Sequence, residues 1–205
     1  MGFVLVTSAL DAKKFTIMIS PEGDSNNPGR ALGDGFERGF TRQYAQALKE
    51  QLEQNADIRV IVSHEVGESV TQEHKANFAN RLMVDLYLSI NFHEDEKPSM
   101  SIYYYQTALF DAPVDNNQLT LYPTTKAYVK NHASTKQWAT RWRTLKAYQE
   151  HLHVNQPLPA PLKQLEGITA SAFAIDLGAQ KMVDIYAYVK PVSEVLMDIT
   201  HDQDN

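Results

Sequence analysis

KFTIMISPEGDSNNPGRALGDGFERGF, residues 14–40, is the stretch that decides the fold. The apolar run at residues 15–19 predicts a short buried strand, and the Pro, Gly and Asn residues that follow predict a long loop. Downstream, large apolar residues recur at every fourth position: Phe36, Phe40, Tyr44, Leu48 and Leu52. This spacing places them on one face of a helix, so the stretch predicts a strand, a loop and a helix in that order.

Two later blocks extend this pattern. NFANRLMVDLYLSINF, residues 77–92, joins the end of a helix to an apolar strand, and a capping box at residues 69–72 is predicted to open that helix. SAFAIDLGAQ, residues 171–180, contains another apolar strand at residues 171–175, so Asp176 is interpreted as following the end of that strand. Strands are predicted around Thr16, Ile61, Leu88, Tyr104 and Ala174. Because strands and helices alternate, the sequence predicts a single α/β domain whose central sheet is mixed or mostly parallel and is flanked by helices.

The three blocks resemble, in order and spacing, the signature blocks of the zinc-dependent N-acetylmuramoyl-L-alanine amidases, which cut stem peptides from the muramic acid of peptidoglycan. The resemblance implies an amidase-like domain over residues 15–200. It places Gly23 and Asn91 at the two zinc-binding His positions and Glu37 at the position of the glutamate ligand. Asp176 falls on the position of the family's catalytic Glu.

Zinc chemistry requires ligands that two of these positions, Gly23 and Asn91, do not supply. A catalytic zinc takes about three protein ligands and keeps an open position for the water that it activates. Gly23 has no side chain and Asn91 offers only a neutral amide, which leaves Glu37 as a vestigial ligand. Asp176 is one methylene shorter than glutamate and is therefore a degenerate catalytic position. The sequence predicts a catalytically inactive amidase-like protein that carries no cofactor.

A rival hypothesis stays open at the same positions. His93 lies two residues after Asn91 and therefore on the same side of the predicted strand. Carboxylates near it would suit a cation that prefers oxygen ligands, or zinc at an atypical site. The rival is an active, metal-dependent peptidoglycan amidase whose site uses Glu22, Asp24, Glu37, His93 and Asp176.

Composition excludes several other function classes. The chain has 205 residues, a formal net charge of −6 and no cysteine. Without cysteine there are no disulfides, thiolate zinc sites or cysteine nucleophiles. The sequence has no run rich in Lys and Arg, so it predicts no nucleic-acid partner. No apolar run reaches the length of about 18 residues that marks a transmembrane helix.

The two ends of the chain and its location carry separate predictions. Residues 1–14 are interpreted either as the remnant of a secretory signal peptide or as an edge strand. Residues 201–205 are predicted to form a polar tail. The family resemblance favours export to the periplasm or cell envelope, with the cytoplasm as the alternative. The predicted partner is a peptidoglycan fragment or an envelope protein, bound in the cleft that corresponds to the active-site cleft of the resembled family.

Overall fold

The fold is built on one large sheet with helices on both of its faces. A computed structural model describes residues 13–33, 35–107, 123–143 and 152–201. In chain order the strands are β1 (Phe15–Pro21), β2 (Ala31–Leu32), β3 (Gly35–Phe36), β4 (Ile58–Val62), β5 (Leu86–Glu94), β6 (Ser99–Tyr105), β7 (His153–Val154), β8 (Leu158–Ala160) and β9 (Ser171–Ala179). Within the described ranges the α-helices are α1 (Glu37–Leu52), α2 (Gln72–Leu82), α3 (His132–Trp142) and α4 (Val189–His201), and the segments Thr124–Asn131, Lys163–Leu165 and Met182–Tyr188 are 3₁₀-helical.

The strand order of the large sheet is β4–β1–β5–β9–β6–β7, with β8 also paired to β6. Strands β4, β1, β5 and β9 are parallel to one another. Strand β6 runs antiparallel to β9 and parallel to the short strands β7 and β8. The prediction of one α/β domain with a mostly parallel central sheet is confirmed, and all five predicted strands lie in this sheet.

The larger core lies between the sheet and the layer of α1, α3 and α4. Phe40, Tyr44 and Leu48 of α1 are at most 1% exposed and belong to this core. The predicted apolar face of this helix is therefore confirmed from Phe40 onward, whereas Phe36 lies in β3 and is 50% exposed. Full burial of one such side chain contributes about 1.5–3 kcal/mol to folding.

A smaller core covers the opposite face of the sheet. Met18 of β1 and Tyr87 of β5 lie there in one cluster with Ala76 and Ala79 of α2 and with the 3₁₀ segments Thr124–Asn131 and Lys163–Leu165. Successive residues of a strand point to opposite faces, so both faces of β1 and β5 are buried. Central strands of this kind read as continuous apolar runs in the sequence.

The site is positioned by the longest strand pair. Strands β5 and β9 pair in parallel from Leu86–Ser171 to Glu94–Ala179. Strand β1 is parallel to both, so the carboxyl ends of the three strands meet at one edge of the sheet. In open α/β sheets this is the edge where ligands bind. It is called the carboxyl edge below.

Two local predictions need correction. The prediction of a capping box at residues 69–72 is wrong. Helix α2 is capped by Thr71, whose hydroxyl accepts the His74 N–H at 3.3 Å. Ser69 donates its hydroxyl to Asp24 instead, at 3.0 Å. Asp176, interpreted as following the end of a strand, lies inside β9 and pairs with both neighbouring strands.

Some predictions fall outside the described residues. The segment 1–14 lies outside them except for its last two positions. Of the predicted polar tail 201–205, only His201 is described, and it is the last residue of α4. Within the described ranges, none of the helices has the length and apolar character that crossing a membrane requires.

Candidate active site at the carboxyl edge

Glu37 is the most buried carboxylate of the site. It is 5% exposed and opens α1. One carboxylate oxygen accepts the backbone N–H of Phe92 at 3.0 Å, and the other accepts the backbone N–H of Arg30 at 3.1 Å. Gly29 makes this approach possible, because a Cβ there would lie 2.7 Å from the Glu37 carboxylate. We call Glu37 with the backbone of Arg30 and Phe92 the Glu37 anchor; it ties the loop, α1 and β5 together.

Gly23 and Asn91, the predicted His positions of the family, also lie near this edge. Gly23 has a φ of +83°, and a Cβ there would meet the Arg38 Cβ at 2.8 Å. A side chain at this position would therefore require the loop to move. The Asn91 amide donates to the backbone carbonyl of Ile175 at 3.4 Å. The amide nitrogen is thereby directed to the main chain of β9.

Asp176 of β9 lies in register with Asn91 of β5. Its carboxylate contacts the side chains of His93 and Arg30. One carboxylate oxygen is 3.0 Å from His93 Nδ1. The guanidinium of Arg30 donates to both carboxylate oxygens at 3.3 Å and to the Phe92 carbonyl at 3.2 Å. The side chains of Arg30, His93 and Asp176 are 53%, 31% and 24% exposed. A guanidinium cation thus rests against the carboxylate that the sequence places at the catalytic position.

Glu22 is turned toward α2. It accepts hydrogen bonds from the Lys75 ammonium at 3.2 Å and from the Ser89 hydroxyl at 3.0 Å. The Lys75 side chain is 8% exposed and that of Glu22 is 24% exposed. A buried ammonium that lost this partner would be strongly destabilising, so Glu22 is committed to Lys75.

Asp24 organises its own loop. One oxygen accepts the backbone N–H groups of Asn26 and Asn27 at 2.8 and 2.7 Å, and the other accepts the Ser69 hydroxyl. These bonds favour the ionised form, so the backbone N–H of Asn27 first of all lowers the pKa of Asp24 below its ordinary value. The carboxylate serves as the anchor of a turn.

These contacts do not fit a tetrahedral zinc ion. Such a site requires about three nitrogen, sulfur or carboxylate donors that converge on one point. Gly23 supplies no donor, the Asn91 amide bonds to the main chain, and both Glu37 oxygens accept backbone N–H groups. Within the described part of the chain, no three His, Asp or Glu side chains are grouped so that they could hold a metal ion.

The sequence analysis missed Arg30 and Lys75. Lys75 carried a usable signal, because on a helix it shares a face with Ala79, which is fully buried. A lysine on the buried face of a helix requires a carboxylate partner. Arg30 carried no such signal, since its partner Asp176 lies 146 positions away in the chain.

Comparisons with known proteins identify the family of the domain. The model of the family Amidase_3, N-acetylmuramoyl-L-alanine amidase, matches residues 17–181. No curated protein sequence matches the chain.

Three solved structures show the same fold. An N-acetylmuramoyl-L-alanine amidase from Clostridium difficile 630 has a TM-score of 0.65 and 16% identity, with 93% of this chain and 97% of that chain covered. The amidase Ami1 from Mycobacterium smegmatis has a TM-score of 0.66 and 14% identity, with 93% and 98% covered. The CwlD amidase from Clostridioides difficile, solved in complex with the GerS lipoprotein, has a TM-score of 0.51 and 13% identity, with 92% and 98% covered.

Proposed function

The chain belongs to the N-acetylmuramoyl-L-alanine amidase family, and on this premise we propose that it is a cell-envelope member that does not carry out zinc-dependent amide hydrolysis. In this proposal the protein keeps a binding role, for a peptidoglycan fragment or an envelope protein. No metal takes part in that role.

The observation that carries the proposal is the isolation of Glu37 as a ligand. Glu37 takes the glutamate ligand position in the family resemblance, and each of its carboxylate oxygens accepts a backbone N–H. These bonds leave a second lone pair on each oxygen, so they fix the carboxylate in place without barring a cation. A catalytic zinc, however, needs about three converging protein ligands. Neither Gly23 nor Asn91 offers an imidazole, so these two positions give Glu37 no companion donor.

A groove beside Gly23 supports the binding role. It has a volume of about 790 Å³ and lies between the loop at Gly23, the outer face of α1 and residues 64–68. Arg38 and Arg42 line it, one helical turn apart. Each donates to a backbone carbonyl, Arg38 to that of Asp24 at 3.3 Å and Arg42 to that of His64 at 2.7 Å. The lining also includes four acidic residues, Asp24, Glu50, Glu65 and Glu68. With two guanidinium groups beside these carboxylates, the groove suits a ligand that carries both carboxylate and amino groups, as peptide stems can.

A protein partner is the second binding candidate. The relative CwlD was solved in complex with a lipoprotein, which shows that a protein of this fold can hold another protein. By this analogy the groove or a neighbouring face of this chain would hold an envelope protein. With either ligand, the location we propose is the periplasm or cell envelope.

The test is a digestion of purified peptidoglycan with the wild-type protein, with and without added zinc. The proposal predicts no release of stem peptides above the level of a heat-inactivated sample. Release that depends on added metal and is lost in Asp176→Ala would contradict it and favour an active amidase with an atypical metal site.

Binding is tested separately by sedimentation with insoluble peptidoglycan. The wild-type protein is expected to co-sediment, and Arg38→Ala should bind about 3-fold more weakly, the effect of one exposed charge pair. Lys190→Ala is the matched control, because this cation lies on α4 and its side chain is 84% exposed. Equal binding by both variants would point away from the groove.

A further inference from the structure

Ser99, His93 and Asp176 form a hydrogen-bonded series at the carboxyl edge. The Ser99 hydroxyl oxygen lies 3.4 Å from His93 Nε2, and His93 Nδ1 lies 3.0 Å from Asp176. The carboxylate favours the tautomer with the proton on Nδ1, which leaves Nε2 free to accept a proton. A hydroxyl, an imidazole and a carboxylate joined through these atoms are the parts of an activated serine nucleophile.

Three neighbouring strands bring the series together. Asp176 lies in β9, His93 in the parallel strand β5, and Ser99 opens the antiparallel strand β6. Gly178 of β9 lies in register with His93. A Cβ on Gly178 would meet the Ser99 hydroxyl and would lie 2.7 Å from the Asp95 Cβ. The arrangement therefore depends on glycine at this position.

Asp95 competes for the serine proton. The Ser99 hydroxyl donates to an Asp95 carboxylate oxygen at 2.6 Å, and the same oxygen lies 3.7 Å from His93 Nε2. Because the hydroxyl oxygen is already near both groups, rotation about the Cβ–Oγ bond redirects its proton from Asp95 to His93. No movement of the backbone is needed for this step.

The series is accessible and carries a positive charge beside it. The His93 and Asp176 side chains are 31% and 24% exposed, and Ser99 is half-buried. Arg30 donates to Asp176 from the solvent side, with 53% of its side chain exposed. A reactant can therefore approach Ser99, while the Arg30 cation pairs with Asp176 at the other end of the series.

We propose that Ser99, His93 and Asp176 form a metal-independent nucleophilic centre that hydrolyses carboxylic esters. The Ser99 oxygen bonds to the ester carbonyl carbon while its proton passes to His93 Nε2. The bond from that carbon to the alcohol oxygen then breaks, and the alcohol leaves with the proton from His93. Water attacks the acyl-serine, His93 takes a proton from the water, and the proton returns to Ser99 as the carboxylic acid leaves. Asp176 is the positioning residue of His93.

Esters are the substrate class that this set suits, because an alkoxide is a better leaving group than the amide anion that an unprotonated amine would leave as. The reaction involves neither zinc nor the muramoyl amide bond, so it goes beyond the binding role proposed above. Failure of one proposal leaves the other standing.

The experiment uses a fluorophosphonate probe, which bonds covalently to activated serine hydroxyls, on the purified full chain. The adduct is located by peptide mapping of the wild-type protein, a readout that does not depend on the folding of any variant. An adduct on Ser99 supports the proposal. An adduct on another residue only, or no adduct at all, overturns it.

Variants then assign the roles, with hydrolysis of p-nitrophenyl acetate as the second readout. Ser99→Ala should abolish labelling, while Ser101→Ala should keep the wild-type rate; Ser101 lies on the same face of β6 and is comparably exposed. His93→Gln should lower the labelling rate by about 100-fold, the usual contribution of a general base. Asp95→Asn should raise the rate, because it removes a negatively charged acceptor that competes for the hydroxyl proton. Loss of labelling in Asp95→Asn with full labelling in His93→Gln would overturn the assignment of His93 as the base.

Discussion

Glu37 and Asp176 are two carboxylates at the same edge of the sheet, and their surroundings are opposite. Glu37 is 5% exposed, and both of its oxygens accept backbone N–H groups. The Asp176 side chain is 24% exposed and bonds to the side chains of Arg30 and His93. We call Asp176 with Arg30, His93, Asp95 and Ser99 the Asp176 network. The Glu37 carboxylate binds backbone N–H groups, whereas the Asp176 carboxylate binds side chains that a reactant can reach.

Two carboxylates at one edge of a sheet can therefore have separate roles. One carboxylate stabilises the loop and the start of α1, and its loss would disturb the fold. The other carboxylate positions a histidine, and its loss would disturb chemistry more than folding. Variants at these two positions separate the two roles.

Glu37→Ala should give the largest effect on stability. It leaves the backbone N–H groups of Arg30 and Phe92 without their acceptor, at a cost of about 1–3 kcal/mol each. We expect the free energy of unfolding, measured by urea denaturation, to fall by about 3 kcal/mol.

Two controls sharpen that result. Asp176→Ala should cost less than about 1 kcal/mol, because its ion pairs are partly exposed. Glu50→Ala, on the exposed side of the same helix, should cost about as little. Equal losses in Glu37→Ala and Asp176→Ala would break the distinction between anchor and network.

Lys75→Met should have the next largest effect. Lys75 is buried and paired with Glu22 at 3.2 Å, so the substitution leaves a half-buried carboxylate without its cation. We expect a loss of about 2 kcal/mol, less than for a fully buried pair because Glu22 is 24% exposed. The double variant Glu22→Gln/Lys75→Met should recover more than half of this loss in a urea double-mutant cycle.

A surface pair provides the matched control for Lys75→Met. The Lys190 ammonium lies 3.9 Å from a Glu194 carboxylate oxygen, and the two side chains are 84% and 54% exposed. Lys190→Met should therefore leave the urea midpoint nearly unchanged. A double variant of Glu22 and Lys75 less stable than Lys75→Met alone would refute the role of the pair.

His64 should give the smallest effect, visible as a pH dependence. Its ring is buried and bonded to the Ser63 hydroxyl at 2.9 Å. Burial, with the charges of Lys75 and Arg42, lowers the pKa of His64 below its ordinary value of 6.5. The folded state therefore binds a proton less readily than the unfolded state. The stability that results is complete above pH 6.5 and is lost as the pH falls from there through the lower pKa of the folded protein.

His64→Gln tests this linkage. Urea midpoints of the wild-type protein should fall as the pH is lowered below 6.5, and those of His64→Gln should fall less. Parallel pH profiles of the two proteins would show that another group is responsible.

The fold could be predicted because it rests on short-range patterns. The spacing of Phe40, Tyr44 and Leu48 identifies the buried face of α1, and the apolar runs around Leu88 and Ala174 identify the central strands. These patterns reflect the burial of large apolar areas, so a wrong prediction for one residue does not change the predicted fold. The cap of α2 was such an error, because the choice between Ser69 and Thr71 depends on where Asp24 lies in space.

The candidate site could be predicted in position but not in its contacts. A parallel sheet brings the ends of its strands to one edge, so the sequence blocks place Glu37, Asn91 and Asp176 there. Whether a carboxylate faces backbone, a lysine or an arginine depends on pairs that are distant in sequence. Arg30 and Asp176, and likewise Lys75 and Glu22, are such pairs. No local periodicity encodes them.

Zinc titration by calorimetry at neutral pH tests the central claim most directly. The account predicts no saturable, tight binding, because Gly23 and Asn91 supply no imidazole to accompany the Glu37 carboxylate. Stoichiometric binding with a sub-micromolar dissociation constant would contradict the account. It would show that the carboxyl edge still forms a metal site.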